Sequence, residues 1–237
     1  MASAGAVLDE SWIILSKGEK SEKVKEVLLS TTYFGPIQWY QKLYRAEEVF
    51  IERCESFQKQ TYRNRCLIAT TNGLQALTIP VVRDQSNRLS DTNQDQEPIS
   101  LIHSIRISDH GNWRHLHWNA LKSAYGESPF FDYYQDDIRP FFEQRWDYLF
   151  DFNEAIREKM CELLDIQPSV RYTEEFASTV NNIMDFRSSI RPKHPEPDPD
   201  FSPKRYYQVY EQKHGFLPNL SILDLLFNMG PESIFYL

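Results

Sequence analysis

Only three cysteines, Cys54, Cys66 and Cys161, stand in this 237-residue chain, widely spread and without a CxxC pair. That spacing fits a reducing compartment better than a disulfide framework and matches no structural zinc site. Glycine is scarce at eight residues, and none falls in a GxGxxG or Walker pattern, so the usual phosphate-cradling loops are missing. No apolar run approaches the roughly 20 residues that span a bilayer. The opening MASAGAVLDESWIILSKGEK lacks a basic n-region, and Asp9 and Glu10 interrupt its apolar stretch, so no signal peptide is expected. Basic charge is also in deficit: 26 Lys and Arg against 34 Asp and Glu give a net charge of −8. That balance argues against a general nucleic-acid binder. Composition therefore predicts a cytoplasmic chain with no membrane span and no nucleic-acid partner.

What is abundant is core material. Hydrophobic residues make up 41% of the chain and aromatics 14%, enough to bury a core and to exclude global disorder. Two stretches break that texture. Residues 84–97, DQSNRLSDTNQDQE, read as a polar surface loop. Residues 191–203, RPKHPEPDPDFSP, hold five prolines, which forbid a helix and favour an extended strap. The organisation expected is an N-terminal extension over 1–22, then a single domain over 23–237.

Local patterns predict strands over 24–32, 49–57, 65–70, 75–82 and 99–107, with Asn72-Gly73 signalling a hairpin. Helices are predicted over 37–46, 113–125, 132–142, 149–164 and 220–228. In the first, Pro36 opens the helix; in the second, Asn112 offers an N-cap; in the last, Gly230 and Pro231 mark the end. The fold class is mixed α/β (α+β), a central sheet from the N-terminal half packed by helices mainly from the C-terminal half. From Gly126 to Asp165, eleven acidic residues face four basic ones, which reads as a solvated helical face.

Polar chemistry concentrates in two places. In Lys59–Arg65, KQTYRNR, an extended chain would align Lys59, Thr61, Arg63 and Arg65 on one side. Such a row could clamp a carboxylate or phosphate, with Tyr62 and Asn64 orienting a sugar or amide. The competing reading is a salt-bridged strand partnered by Glu52, Glu55 or the acidic helices. The second place is Ser108–Trp118, SDHGNWRHLHW. On a helix His115 and His117 diverge by about 200° and cannot share a metal ion, so no metal site is expected. His117 falls on the apolar face as a core residue, while His115 is the acid/base candidate. Cys54 and Ser30 are the remaining nucleophile candidates, each without an activating motif. Asp224, beside the apolar stripe Leu220, Leu223 and Phe227, needs a buried partner, and Lys59, Arg63 or Arg65 are the expected ones.

In order, LLSTTYFGPIQWYQKL, VFIERCESFQKQTYRNRCLI, LTIPV, WRHLHWNALKSAYGESPFF and NLSILDLLFNMGPES resemble the WbqC-like family of bacterial proteins. Lys59, Asn64 and Arg65 match that family's K…NR block, and Tyr33 and Pro36 its Y-F-P turn. Trp113, His115 and Tyr125 match its central helix; Ser221, Asp224, Leu225, Phe227, Asn228 and Gly230 match its C-terminal block. Many members carry His-Gln-Pro before the tyrosine, where this chain has Leu29, Ser30 and Thr31. The family is associated with surface-polysaccharide (O-antigen) gene sets. The resemblance implies a setting more than a mechanism; joined to the clustered cations, it gives the expectation of a transferase acting on a sugar nucleotide or a small amine or acyl substrate in surface-glycan biosynthesis. Its partner would be a small anionic metabolite, and no cofactor is called for. Lys59, Tyr62, Arg63, Asn64, Arg65 and Asp224 would bind substrate, and His115 would move a proton. The rival expectation is a noncatalytic binding or scaffold protein using its aromatic surface and acidic helices.

Overall fold

Val27, Leu28 and Leu29 form an apolar run at most 1% exposed, the pattern of a strand covered on both faces in a parallel sheet. The computed structural model describes residues 26–82, 100–177 and 183–237. The expected loop 84–97 and the extension 1–22 lie outside the described residues. In chain order the elements are β1 (Glu26–Ser30), α1 (Ile37–Arg45), β2 (Glu48–Glu52), β3 (Arg65–Thr70), β4 (Gly73–Thr78) and β5 (Val81–Val82). These are followed by β6 (Arg106–Ile107), α2 (Trp113–Tyr125), α3 (Phe131–Ile138), α4 (Pro140–Glu143) and α5 (Leu149–Leu163). The chain then forms β7 (Val170–Tyr172), β8 (Met184–Asp185), α6 (Glu211–His214) and α7 (Ile222–Met229).

The main sheet has the order β7-β2-β1-β8, with every neighbour parallel. Separate antiparallel pairs join β3 to β4 and β5 to β6. The mixed α/β class is as expected, but two of the four main-sheet strands come from the second half of the chain. Strands of two and three residues carry no periodicity, so sequence pattern does not reveal them. The strand expected over 75–82 is divided around Pro80, which has no N–H for a ladder. The helix expected over 132–142 breaks at Pro140, the first residue of α4. Residues 102–104, expected within a strand, form a 3-10 turn.

One apolar cluster runs from Val27 to Leu237 and takes in α1, α5 and α7. α7 packs on α1, α3 and β3. α1 is buried almost all round, including Gln38, Gln41 and Lys42. The proline-rich strap supplies the missing partners. Asp198 accepts from Lys42 Nζ at 2.8 Å and from Gln38 Nε2 at 2.8 Å, and Gln41 Nε2 donates to the Asp200 carbonyl at 3.3 Å. The acidic region is solvated as expected, Glu154 being its one buried carboxylate.

Candidate functional site at the carboxyl edge of the sheet

β1 ends at Ser30, β2 runs on into Cys54 and Glu55, and β8 runs on into Arg187. Their carboxyl ends form one edge, and β1 has its sequence neighbour β2 on one side and the distant β8 on the other. Open parallel sheets bind ligands at such a point, outside the carboxyl ends, where adjacent strands continue to opposite sides. A crevice of about 500 Å³ opens there, lined by Glu55, Arg63, Phe176, Asp185, Arg187 and Arg191 among others. A recess of about 10 Å³ adjoins it, sharing Arg63 and Arg187 and lined also by Ser30, Thr32 and Tyr62.

Two buried ion clusters make the walls. Arg63 forks onto Glu55: Nε donates to Oε1 at 2.7 Å, and Nη2 is bonded to Oε2. Nη2 also donates to Ser30 Oγ at 2.9 Å, and that hydroxyl donates to Glu55 Oε2 at 3.1 Å. The turn holding Arg63 is pinned from three directions. Tyr33 N donates to the Tyr62 carbonyl at 2.8 Å, Asn153 Nδ2 to the Arg63 carbonyl at 2.8 Å, and Asn64 Nδ2 to the Ile79 carbonyl at 2.9 Å. In the second cluster Glu52, fully buried, accepts from Cys54 N at 2.8 Å, Thr173 Oγ1 at 2.6 Å, Ala177 N at 2.9 Å and Arg187 Nη1 at 3.3 Å. Arg187 is also bidentate to Asp185 and donates to the Ala177 carbonyl at 2.8 Å. Both guanidiniums are therefore held rigidly, which lowers the entropic cost of using them on a ligand.

The expected clamp is redrawn. Residues 57–64 are a turn, with Gln60 at φ 61°, so the alternation that would align Lys59, Arg63 and Arg65 does not apply. Arg63 alone lines the crevice; the Glu55 pairing was one of the two expected readings. Lys59 is exposed beside Gln58, a lining residue. Arg65 sits on β3 and donates to Thr78 Oγ1 at 3.0 Å. Asn64 donates through Nδ2 to the backbone, its buried Oδ1 having no partner among the described residues, and Tyr62 is buried against the recess.

Asp224 is buried and partnered, but not by a cation. It accepts from Tyr125 OH at 2.9 Å, Tyr206 OH at 2.6 Å and Gln208 Nε2 at 3.1 Å. Burial raises its pKa to about 6 against these hydrogen bonds. The C-terminal block meets the N-terminal turn through Ser221 Oγ to the Phe34 carbonyl at 2.8 Å, and β3 through Ser221 N to the Leu67 carbonyl at 2.9 Å.

His115 is exposed, bonded to Asn119 at 2.8 Å, in a separate groove of about 440 Å³ beside Arg114 and Arg139. That groove shares no lining residue with the crevice. His117 is the core residue expected, meeting Tyr33 OH at 2.9 Å through Nδ1, and burial lowers its pKa to about 4. Asn112 precedes α2 at φ 48° and makes no side-chain cap. Cys54 lies at the crevice, but burial and then Glu52 raise its pKa, the opposite of an activated thiolate. Among the described residues no group of three His, Cys, Asp or Glu side chains is placed to hold a metal. Sequence reasoning missed Phe176, Asp185, Arg187 and Arg191 as crevice residues, because β8 carries no pattern of its own.

The family model described as "WbqC-like protein family" matches residues 31–191 and 198–236. The chain belongs to the WbqC-like family. Every crevice-lining residue lies within the matched range, and the break at 192–197 falls in the proline-rich strap. The chain is also similar to the uncharacterized protein Rv1507c of Mycobacterium tuberculosis (strain ATCC 25618 / H37Rv), 24% identical over 240 residues, covering 90% of this chain and 98% of that protein. No solved structure matches the chain. No helix among the described residues is long and apolar enough to cross a membrane.

Proposed function

We propose that this WbqC-like protein binds a small anionic substrate in the crevice and acts on it as a transferase, in a cytoplasmic step of surface-glycan biosynthesis. The family's gene setting puts forward a sugar nucleotide, or a small amine or acyl substrate. The observation that carries the reading is the position of Arg63 and Arg187, each fixed by buried carboxylates at the carboxyl edge of a parallel sheet. Arg63 takes the central place in the anion site, Arg191 and Lys59 stand at its mouth, and Arg65 has no part in it. Thermal unfolding should move upward in the presence of pyrophosphate or a nucleotide sugar, since a ligand that binds only the native state stabilises it. No shift across a broad panel of anionic metabolites overturns the reading.

One observation favours binding without chemistry. Among the described residues, the carboxylates lining the crevice, Glu55 and Asp185, are both ion-paired, and no imidazole lines it. The described lining residues thus offer no free general base. Phosphorus NMR of a nucleotide sugar that binds separates the two readings: new resonances on adding an acceptor mean transfer, and unchanged ones mean a binding protein.

A further inference from the structure

The crevice has an aromatic wall and an unpaired cationic rim on the same face. Phe176 is 55% exposed and lines the crevice, with the Arg187 guanidinium carbon 5.2 Å from its ring centroid. One ring face is thus backed by a cation that Asp185 and Glu52 already hold, while more than half of the side chain stays open. Residues 186–190 make a helical turn, Ile190 N donating to the Phe186 carbonyl at 2.9 Å. Arg187 on that turn and Arg191 just after it both line the crevice. Arg187 is fully engaged; Arg191 has no carboxylate or hydrogen-bond acceptor among the described residues. Lys193, two residues on, reaches across to Gln60 Oε1 at 2.8 Å, which brings it to the turn bearing Lys59 and Gln58. Arg191 lines the crevice, Lys193 and Lys59 flank the lining residue Gln58 on the adjoining turn, and none of the three has a carboxylate partner among the described residues, in a chain whose net charge is −8. At the inner end, Thr32 Oγ1 is buried and unpartnered where it borders the recess.

We propose that this crevice takes a nucleoside diphosphate group, its base stacked on the open side of Phe176 and its phosphates held by Arg191 and Lys193 at the rim. A flat exposed ring beside arginine is a sequence-tolerant platform for a base. An uncommitted guanidinium at the mouth meets a phosphate bidentately. The recess at Thr32 then receives a small polar end of whatever the diphosphate carries. This inference rests on the anion-binding reading above and adds the base.

Equilibrium titrations with UDP, ADP, uridine and pyrophosphate on the full chain test it. UDP or ADP should bind about tenfold or more tightly than pyrophosphate, the range expected of one stacked base. In Phe176→Ala the nucleotide's advantage disappears while pyrophosphate affinity stays within about twofold. In Arg191→Gln the affinities for nucleotide and pyrophosphate fall together. Phe176 and Arg191 are both outside the buried ion clusters, and circular dichroism checks that each variant folds. Equal affinities for pyrophosphate and nucleotides, or an advantage that survives Phe176→Ala, overturn the base site while leaving the anion site standing. Absence of any binding overturns both.

Discussion

Burial of Asp224 among Tyr125, Tyr206 and Gln208 makes its protonation part of folding. Its native pKa, about 6, lies above the ordinary 3.8 because burial penalises the charge. The native state therefore holds a proton that the unfolded chain releases. This stabilisation is fully present below about pH 4 and is lost as pH rises through about 6. His117 works in the opposite sense. Burial takes its pKa from 6.5 to about 4, so its contribution is present above 6.5 and is lost as pH falls toward 4. NMR titration of the histidine ring protons should show one imidazole, absent in His117→Gln, that stays neutral down to about pH 4. Replacing Asp224 by Asn should flatten its part of the stability profile between pH 4 and 6, measured by denaturant midpoints at each pH. Asp224→Ala should cost about 2–4 kcal/mol, since buried tyrosine hydroxyls lose their acceptor. An unchanged midpoint in that variant would mean the carboxylate is not structural.

At the scale of elements, the end of α7 and the strap each offer one position that tests the packing. Gly230 closes α7 at φ 54°, and a Cβ there would lie 2.5 Å from the Phe130 ring. Gly230→Ala therefore combines backbone strain with overpacking and should lower stability by about 2–4 kcal/mol in thermal or chemical unfolding. The strap depends on Asp198, whose partner Lys42 has a side chain 3% exposed. Asp198→Ala leaves a buried ammonium unpaired and should cost about 3–5 kcal/mol; a loss below 1 kcal/mol would show that the strap rests on other contacts. The hairpin was legible in outline but not in detail. Thr70 pairs with Gly73, so Thr71 and Asn72 form the loop and only Gly73, at φ 99°, lies in positive φ. A I′ turn needs positive φ at both loop residues, so the glycine acts one position after the loop.

At the scale of the molecule, the crevice joins segments separated by well over a hundred residues. Glu55 and Arg63 lie in one wall; Asp185, Arg187 and Arg191 in the other. Removing Arg63 should expose how far that wall carries the fold: Arg63→Ala strands Glu55, 4% exposed, and should cost about 3–5 kcal/mol. Arg65→Ala, losing one bond to a threonine, should change the denaturant midpoint by less than about 1 kcal/mol. The opposite ranking would return Arg65 to the site.

Composition, periodicity and turn chemistry determined the mixed α/β class, α1, α2, α5 and α7, the β3–β4 hairpin, the buried His117 and the need of Asp224 for partners. Each of these follows from burial and backbone geometry within one segment, which local sequence records. The tertiary structure alone decided that Asp224 meets tyrosines and not arginines, that His115 stands in another groove, and that Arg63 shares a crevice with Arg187 and Arg191. The first two depend on how α2 and α7 pack, and the last on parallel strand pairing, which brings distant segments together through backbone hydrogen bonds. A two-residue strand such as β8 pairs through its N–H and C=O groups, which every residue carries, so no side-chain pattern announces where it goes.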